Sequence, residues 1–220
     1  METKQSHLAK LELSTLSHIH ELEKERSACP QNIYDKWPDV LDRITQDFIK
    51  LKKPHQTAFI ETGTAAGDTA KAAMHAGFLK VDTIELNPYF HKYATKVLHD
   101  NPSRPDWKNK INLYQGSSAD ILPSVLEKNT EPFVLWLDAH WSGGPWIGEN
   151  MSSYLPKELT AIAKCNVDFT DCSILIDDMN HFTNDKSFID LIEILLNTIK
   201  PNGTVELYNS LHGNTFMTSL

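Results

Sequence analysis

Ala58-Phe59-Ile60-Glu61-Thr62-Gly63-Thr64-Ala65-Ala66-Gly67-Asp68-Thr69-Ala70 is the segment from which the architecture of this chain can be worked out. Its apolar opening predicts a short strand, its middle a turn, and its alanine-rich close the start of a helix. Glycine at 63 permits a tight bend, and glycine at 67 lets a helix start come close to a ligand with no Cβ in the way. The spacing narrows the ligand. A dinucleotide fingerprint reads G-x-G-x-x-G, with a pyrophosphate on the helix N-terminus. Here the pattern is acidic-x-G-x-x-x-G, beginning at Glu61. A carboxylate ahead of the turn repels a pyrophosphate and suits a ligand that carries an ammonium and a sulfonium.

From Thr57 onward, apolar runs at 57–62, 81–86, 111–116, 133–138, 172–177 and 204–209 alternate with amphipathic stretches near 67–76, 88–99, 119–128, 153–164 and 186–199. Strands joined by helical crossovers make a mainly parallel α/β sheet covered on both faces. Asn87-Pro88 predicts a capped helix start with proline at the first helical position. Ahead of Pro54 the pattern changes. Leu8, Leu11, Leu13, Leu16, Ile19 and Leu22 recur at near-helical intervals, and a second amphipathic stretch runs from about Trp37 to Lys52. Residues 1–53 are therefore expected to form an N-terminal helical extension and 54–220 the ligand-binding domain. Such an extension either packs on the sheet or closes over a substrate.

A chain of 220 residues with 40% hydrophobic content can bury one substantial core. The net charge of −8 counts against nucleic acid and anionic membranes as partners. No apolar run approaches the roughly 20 residues that span a bilayer. Cys29, Cys165 and Cys172 form no C-x-x-C pair, and Met1 to Lys10 is polar rather than leader-like, so a cytoplasmic setting is expected. Assembly into a homo-oligomer is left open.

In a sheet of this kind, ligands bind beyond the carboxyl ends of the strands. Those ends read Glu61, Glu85, Gly116-Ser117-Ser118, Asp138-Ala139-His140 and Asp177-Asp178. Glu85 stands 22 positions after Gly63, where a carboxylate takes ribose hydroxyls; that suits NAD and S-adenosylmethionine alike. Ser117, Ser118, Ala119 and Asp120 offer small polar groups to an adenine edge, and Asp120 is equally placed to cap a helix. Asp138, Asp177 and Asp178 at neighbouring strand ends would bring three carboxylates together, and three clustered negative charges call for a cation. Oxygen ligands suit Mg²⁺ with positions left for substrate hydroxyls. His140 stands beside them as a candidate base, because an imidazole exchanges its proton near neutrality; contact with substrate or support of the metal are its alternatives.

With these motifs in place, the chain resembles the class I S-adenosylmethionine-dependent methyltransferases, and most of all the metal-dependent O-methyltransferases of the catechol and antibiotic-sugar type. The resemblance spans about Thr57 to Asn180. The acidic glycine-rich turn falls on Glu61, Gly63, Thr64 and Gly67, the ribose carboxylate on Glu85 within Ile84-Glu85-Leu86-Asn87-Pro88, and the adenine segment on Ser117 to Asp120. Asp138 matches the metal carboxylate after the fourth strand, and Asp177 and Asp178 the acidic pair after the fifth. The resemblance implies a Rossmann-like sheet of seven strands whose last strand is antiparallel, S-adenosylmethionine and Mg²⁺ as cofactors, and Asp138 and His140 as catalytic residues. Two departures stand out. Ala119 replaces an amide-bearing adenine contact of the catechol enzymes, and Trp141 occupies the place of their catalytic lysine. Some of the sugar enzymes are similar in carrying a histidine shortly after the metal aspartate, which His140 matches most nearly.

The segment 140–151, rich in glycine and with Trp141 and Trp146, reads as a loop that stacks on a flat ring or sugar face, or else as one pinned to the core by its tryptophans. Asn180 and His181 are further candidates for the pocket wall. The reading that follows is an O-methyltransferase acting on a small-molecule or sugar hydroxyl. A nicotinamide-dependent oxidoreductase and a non-catalytic S-adenosylmethionine-binding protein are the alternatives.

Overall fold

Strand β1 (Ala58–Thr62) is buried at every position because it lies between two other strands with helices on both of its faces. Residues 38–140, 151–182, 184–211 and 215–220, together with 13, 14, 16, 17 and 20, are described by a computed structural model. The order along the described chain is α1 (Pro38–Leu51), β1, α2 (Asp68–His75), β2 (Lys80–Glu85), α3 (Pro88–His99), β3 (Ile111–Gln115), α4 (Ser118–Lys128) and β4 (Phe133–Leu137). Helix α5 (Met151–Ala163), β5 (Ser173–Ile176), α6 (Lys186–Ile199), β6 (Val205–Asn209) and β7 (Thr215–Ser219) follow. The seven strands form one sheet in the order β3-β2-β1-β4-β5-β7-β6. Strands β1 to β5 are parallel, and β7 runs antiparallel to both β5 and β6. The seven-stranded Rossmann-like sheet with an antiparallel last strand is thus observed, with β7 seated inside the edge strand β6.

The expected helices and strands lie within a few residues of their observed ends. Asn87 caps α3 by accepting the Tyr89 N–H at 2.9 Å, with Pro88 at the first turn. The leucine-spaced segment at 8–22 falls largely outside the described residues. Of its members Leu13, Ser14, Leu16, Ser17 and His20 are helical, and Leu13 and Leu16 are exposed.

Alternation along the strands sends side chains to two separate cores. Ala58 and Ile60 of β1 face a layer built from Leu122, Val125, Leu126, Leu155, Leu159, Phe188 and Ile192 on α4, α5 and α6. Phe59 faces the opposite layer with Phe48, Ala70, Ala73 and Leu98 on α1, α2 and α3. The same parity carries to the strand end: Glu61 follows Phe59, and Thr62 follows Ile60. Helix α1 contributes more than coverage. Phe48 packs on Phe59 and Trp136 with ring centroids 4.9 Å and 5.2 Å apart, and Asp47 accepts a bond from the Tyr208 hydroxyl at 3.0 Å. Truncating Phe48 removes a fully buried ring from the centre of this layer, so Phe48→Ala is expected to lower unfolding stability by about 3–5 kcal/mol in urea titrations. A loss under about 1 kcal/mol would place α1 outside the cooperative core.

Candidate active site

Register brings the site together. Thr62 pairs with Leu137 and Ile84, and Leu137 pairs with Ile176, so the strand ends carrying Gly63, Asp138 and Asp177 finish level with one another. Beyond them lies a cavity of about 260 Å³ lined by Gly63, Ala65, Glu85, Leu86, Gly116, Ser118, Asp138, His140, Tyr154 and Asp178, among others. Gly63 adopts φ +86°, and a Cβ there would collide with the Asp138 carbonyl, so glycine is what lets the β1 turn and the β4 end meet. Ala65 also has a positive φ of 48°, an unfavourable conformation for a residue with a Cβ. Its N–H donates to Glu85 Oε2 at 2.8 Å, while Glu85 Oε1 accepts from Asn87 N–H at 2.8 Å. One carboxylate therefore holds the turn after β1 and the helix start after β2. Burial pushes the Glu85 carboxyl above its ordinary value, against the pull of the backbone N–H groups of Asn87, Ala65 and Leu86.

Glu61 is fully buried on the α1–α3 side, where the Thr83 hydroxyl donates to Oε1 at 2.6 Å and Thr83 in turn bonds Thr64. Its second oxygen, Oε2, is buried with no hydrogen-bond partner. Burial drives its carboxyl up to about 8, with the Thr83 bond opposing and the charges of Glu85 and Asp68 adding to the rise. Asp138 is likewise held well above the usual carboxylate range, by burial and then by Asp177, Asp178, Glu61 and Glu158. Five carboxyl groups thus crowd the ends of β1, β4 and β5.

The acidic centre has a different membership from the expected trio. Oxygens of Asp138 and Asp178 and a ring nitrogen of His140 lie within 4.8 Å of one another, and all three side chains are half-buried. His140 Nε2 is 3.2 Å from Asp178 Oδ2, and Nδ1 is 3.6 Å from Asp138 Oδ1. Asp177 is buried and instead accepts the Asp178 N–H at 2.7 Å, which steadies Asp178 in its left-handed conformation of φ 56°. An imidazole between two carboxylates, in a surrounding excess of negative charge, is a donor set that fits a divalent cation.

The remaining expected residues scatter. Ser118 lines the cavity, whereas Ala119 and Asp120 line a neighbouring cleft with Pro123 and Pro156. The Ser117 hydroxyl pairs with the Tyr154 hydroxyl at 3.2 Å and makes no cap bond for α4. Gly67 begins α2 with φ +83° against Leu98, away from the cavity lining. Asn180 and His181 sit on an exposed turn and do not line the cavity. The expected substrate loop with Trp141 and Trp146 lies outside the described residues. Two residues on α5 went unread in the sequence, Tyr154 and Glu158. Their signal was spacing: Glu158 falls on the stripe of Leu155, Leu159 and Ile162, where an apolar residue belongs.

No protein-family model and no curated protein matches this sequence. Solved structures do. The O-methyltransferase from Bacillus cereus, in complex with S-adenosylhomocysteine, matches with a TM-score of 0.54 and 17% identity over 94% of this chain and 90% of that one. The S-adenosylhomocysteine-bound Podospora anserina methyltransferase PaMTH1 matches with 0.55 and 12% over 99% and 97%. The fold is that of the class I S-adenosylmethionine-dependent methyltransferases. Spermidine synthase from Thermotoga maritima is similar too, with a TM-score of 0.51 and 13% identity over 82% of this chain and 56% of that one. Likeness at such identities establishes architecture, and the reaction has to be argued from the site.

Glu61 provides a direct check on the electrostatics. Between its ordinary value of 4.5 and about 8, the folded chain holds a proton that the unfolded chain releases. Its contribution to stability is therefore full below that window and lost as pH rises through it. Glu61→Gln is expected to flatten the urea midpoint against pH for the ligand-free chain and to be more stable than the parent above about pH 8. Superimposable profiles would count against a protonated Glu61.

Proposed function

We propose that this chain is an S-adenosylmethionine-dependent methyltransferase that methylates a hydroxyl of a small molecule or sugar, with a divalent ion, Mg²⁺ foremost, at the acidic centre. The observation that carries the reading is that one cavity is lined both by the Glu85 carboxylate and by Asp138, His140 and Asp178. Glu85, fixed by two backbone N–H groups, is suited to accept ribose hydroxyls. Glu61 does not line the cavity wall itself, but its partnerless Oε2 is a buried acceptor beside it that a cationic group of the cofactor would satisfy. Bound there, the cofactor would supply an electrophilic methyl group and the ion a positive charge that acidifies an acceptor hydroxyl. Asp138, His140 and Asp178 would hold that ion, with Asp177 supporting Asp178 from behind.

His140 has two roles open to it. As a base it would take the acceptor proton on a ring nitrogen while Asp178 orients the ring. Its place between Asp138 and Asp178 favours a role as ligand, and an imidazole ligand admits Mn²⁺ or Zn²⁺ beside Mg²⁺. The nicotinamide reading is opposed by the missing third glycine and by the buried acid ahead of the turn.

Calorimetric titration tests the cofactor. Saturable binding of S-adenosylhomocysteine is expected, weakened at least about tenfold in Glu85→Ala, or ~1.4 kcal/mol; binding of NADH without S-adenosylhomocysteine would reverse the assignment. For the acidic centre, transfer of radiolabelled methyl to hydroxylated acceptors is expected to stop in EDTA and in Asp138→Ala and Asp178→Ala. Full turnover in EDTA would remove the ion from the scheme. His140→Ala separates its two roles, since a lost ligand lowers metal affinity and a lost base lowers turnover at unchanged metal affinity.

A further inference from the structure

Glu158 is a buried acid close to Asp138 that the proposed chemistry leaves unused. It lies on α5 among Leu155, Leu159 and Ile162 and is only 2% exposed. A carboxylate in that position is costly to bury, and a helix packed on a sheet needs none there. Its oxygens are engaged on two sides. The Ser118 hydroxyl donates to Oε1 at 2.6 Å, from the first residue of α4 in the turn that follows β3. The Thr62 hydroxyl acts on it from the end of β1, drawing its carboxyl down, and Thr62 Oγ1 accepts the Asp138 N–H at 3.2 Å. One helical turn earlier, the Tyr154 hydroxyl lies 3.0 Å from Ser118 Oγ and 3.4 Å from the Ala119 N–H. A single face of α5 thus grips the Ser117–Ala119 turn and ties it to the strand ends that frame the cavity.

We propose that Glu158 is a positioning residue of the cofactor site, clamping the turn that would carry the adenosine moiety to Thr62 and, through it, to the Asp138 end of β4. This rests on the methyltransferase reading. The clamp holds the wall of the cavity at Ser118 at a set distance from the acidic centre, so a ligand held by its adenosine part meets Asp138 and His140 in one alignment. Cutting the clamp loosens the adenosine end first. Ligands that share adenosine and differ in the remainder then lose affinity by the same factor.

The test is calorimetry on the full chain with S-adenosylhomocysteine and with 5′-methylthioadenosine, which lacks the amino-acid portion. Glu158→Ala is expected to weaken both by about tenfold, and Glu158→Gln, which still accepts the Ser118 bond, to recover most of that loss. Thr62→Val cuts the clamp from its other side at a residue that does not line the cavity, and is expected to weaken both ligands in equal ratio. Phe48→Ala, destabilised at a residue that does not line the cavity, is expected to bind as the parent does, which separates positioning from general loss of stability. Parent-like affinity in Glu158→Ala overturns the clamp, and so does parent-like affinity in Thr62→Val should Glu158→Ala not fold. A parent chain that binds neither ligand overturns the methyltransferase reading itself. A parent that binds both, with variants that bind equally well, overturns only the role of Glu158.

Discussion

Parallel register between β1, β4 and β5 is the constraint from which the site follows. Because Thr62, Leu137 and Ile176 finish level, the residues just beyond them are forced into one small space, and these are Gly63, Asp138 and Asp177. Contact is close enough that a Cβ at position 63 would strike the Asp138 carbonyl. A one-residue slip would exchange the faces, sending Glu61 toward α5 and Thr62 toward α2. The apolar positions resist such a slip, since Phe59 fits the layer around Phe48 and Ile60 the layer around Leu122.

The gathering of acids is opposed by the same burial that makes it specific. Asp138 is raised by burial and then by Asp177, Asp178, Glu61 and Glu158, and Glu158 is pushed up to about 7 by desolvation against the bonds of Ser118 and Thr62 and the charge of His140. Hydrogen bonds from Thr83, Ser118, Ala65 and Asn87 offset part of this cost but leave Glu61 Oε2 unsatisfied. Proteins keep such arrangements where binding or chemistry needs them, and the local rules of helix and strand are broken at the same places. Glu158 on an apolar stripe, Ala65 and Asp178 at positive φ, and a carboxylate buried at the end of β1 are all of this kind.

Much of the fold was legible because its signals are local. Apolar runs bounded by turns gave strands near their observed limits, and Asn87-Pro88 marked a helix start that the Tyr89 N–H bond confirms. β7 was harder: Thr215-Phe216-Met217-Thr218-Ser219 has no strong alternation, and its place between β5 and β6 is set by long-range pairing. In the site, residues adjacent in sequence to strand ends were readable, whereas side-chain direction was not. Asp177 and Asp178 are indistinguishable as letters, yet the left-handed backbone at 178 turns one toward His140 and leaves the other bonded to its neighbour's N–H. Tyr154 and Glu158 sit more than thirty residues from the turn they grip, a relation that exists only once α5 has packed beside α4.

Charge bears on the ligand as well as on the fold. A pyrophosphate-containing dinucleotide would bring further negative charge to a cavity lined by Glu85, Asp138 and Asp178, with Glu61 and Glu158 buried close to Asp138. At the short separations and reduced dielectric of such a site, like charges are strongly unfavourable, and no helix start with a third glycine is present to offset them. A sulfonium with an ammonium at one end has the opposite sign and would relieve the repulsion that adds to burial in raising Asp138 and Glu61 above their ordinary values. A divalent ion between Asp138 and Asp178 acts in the same direction. The acids that make the ligand-free site expensive are therefore the ones that would favour a cationic cofactor over an anionic one, so the cost to stability and the selectivity for ligand arise from a single arrangement.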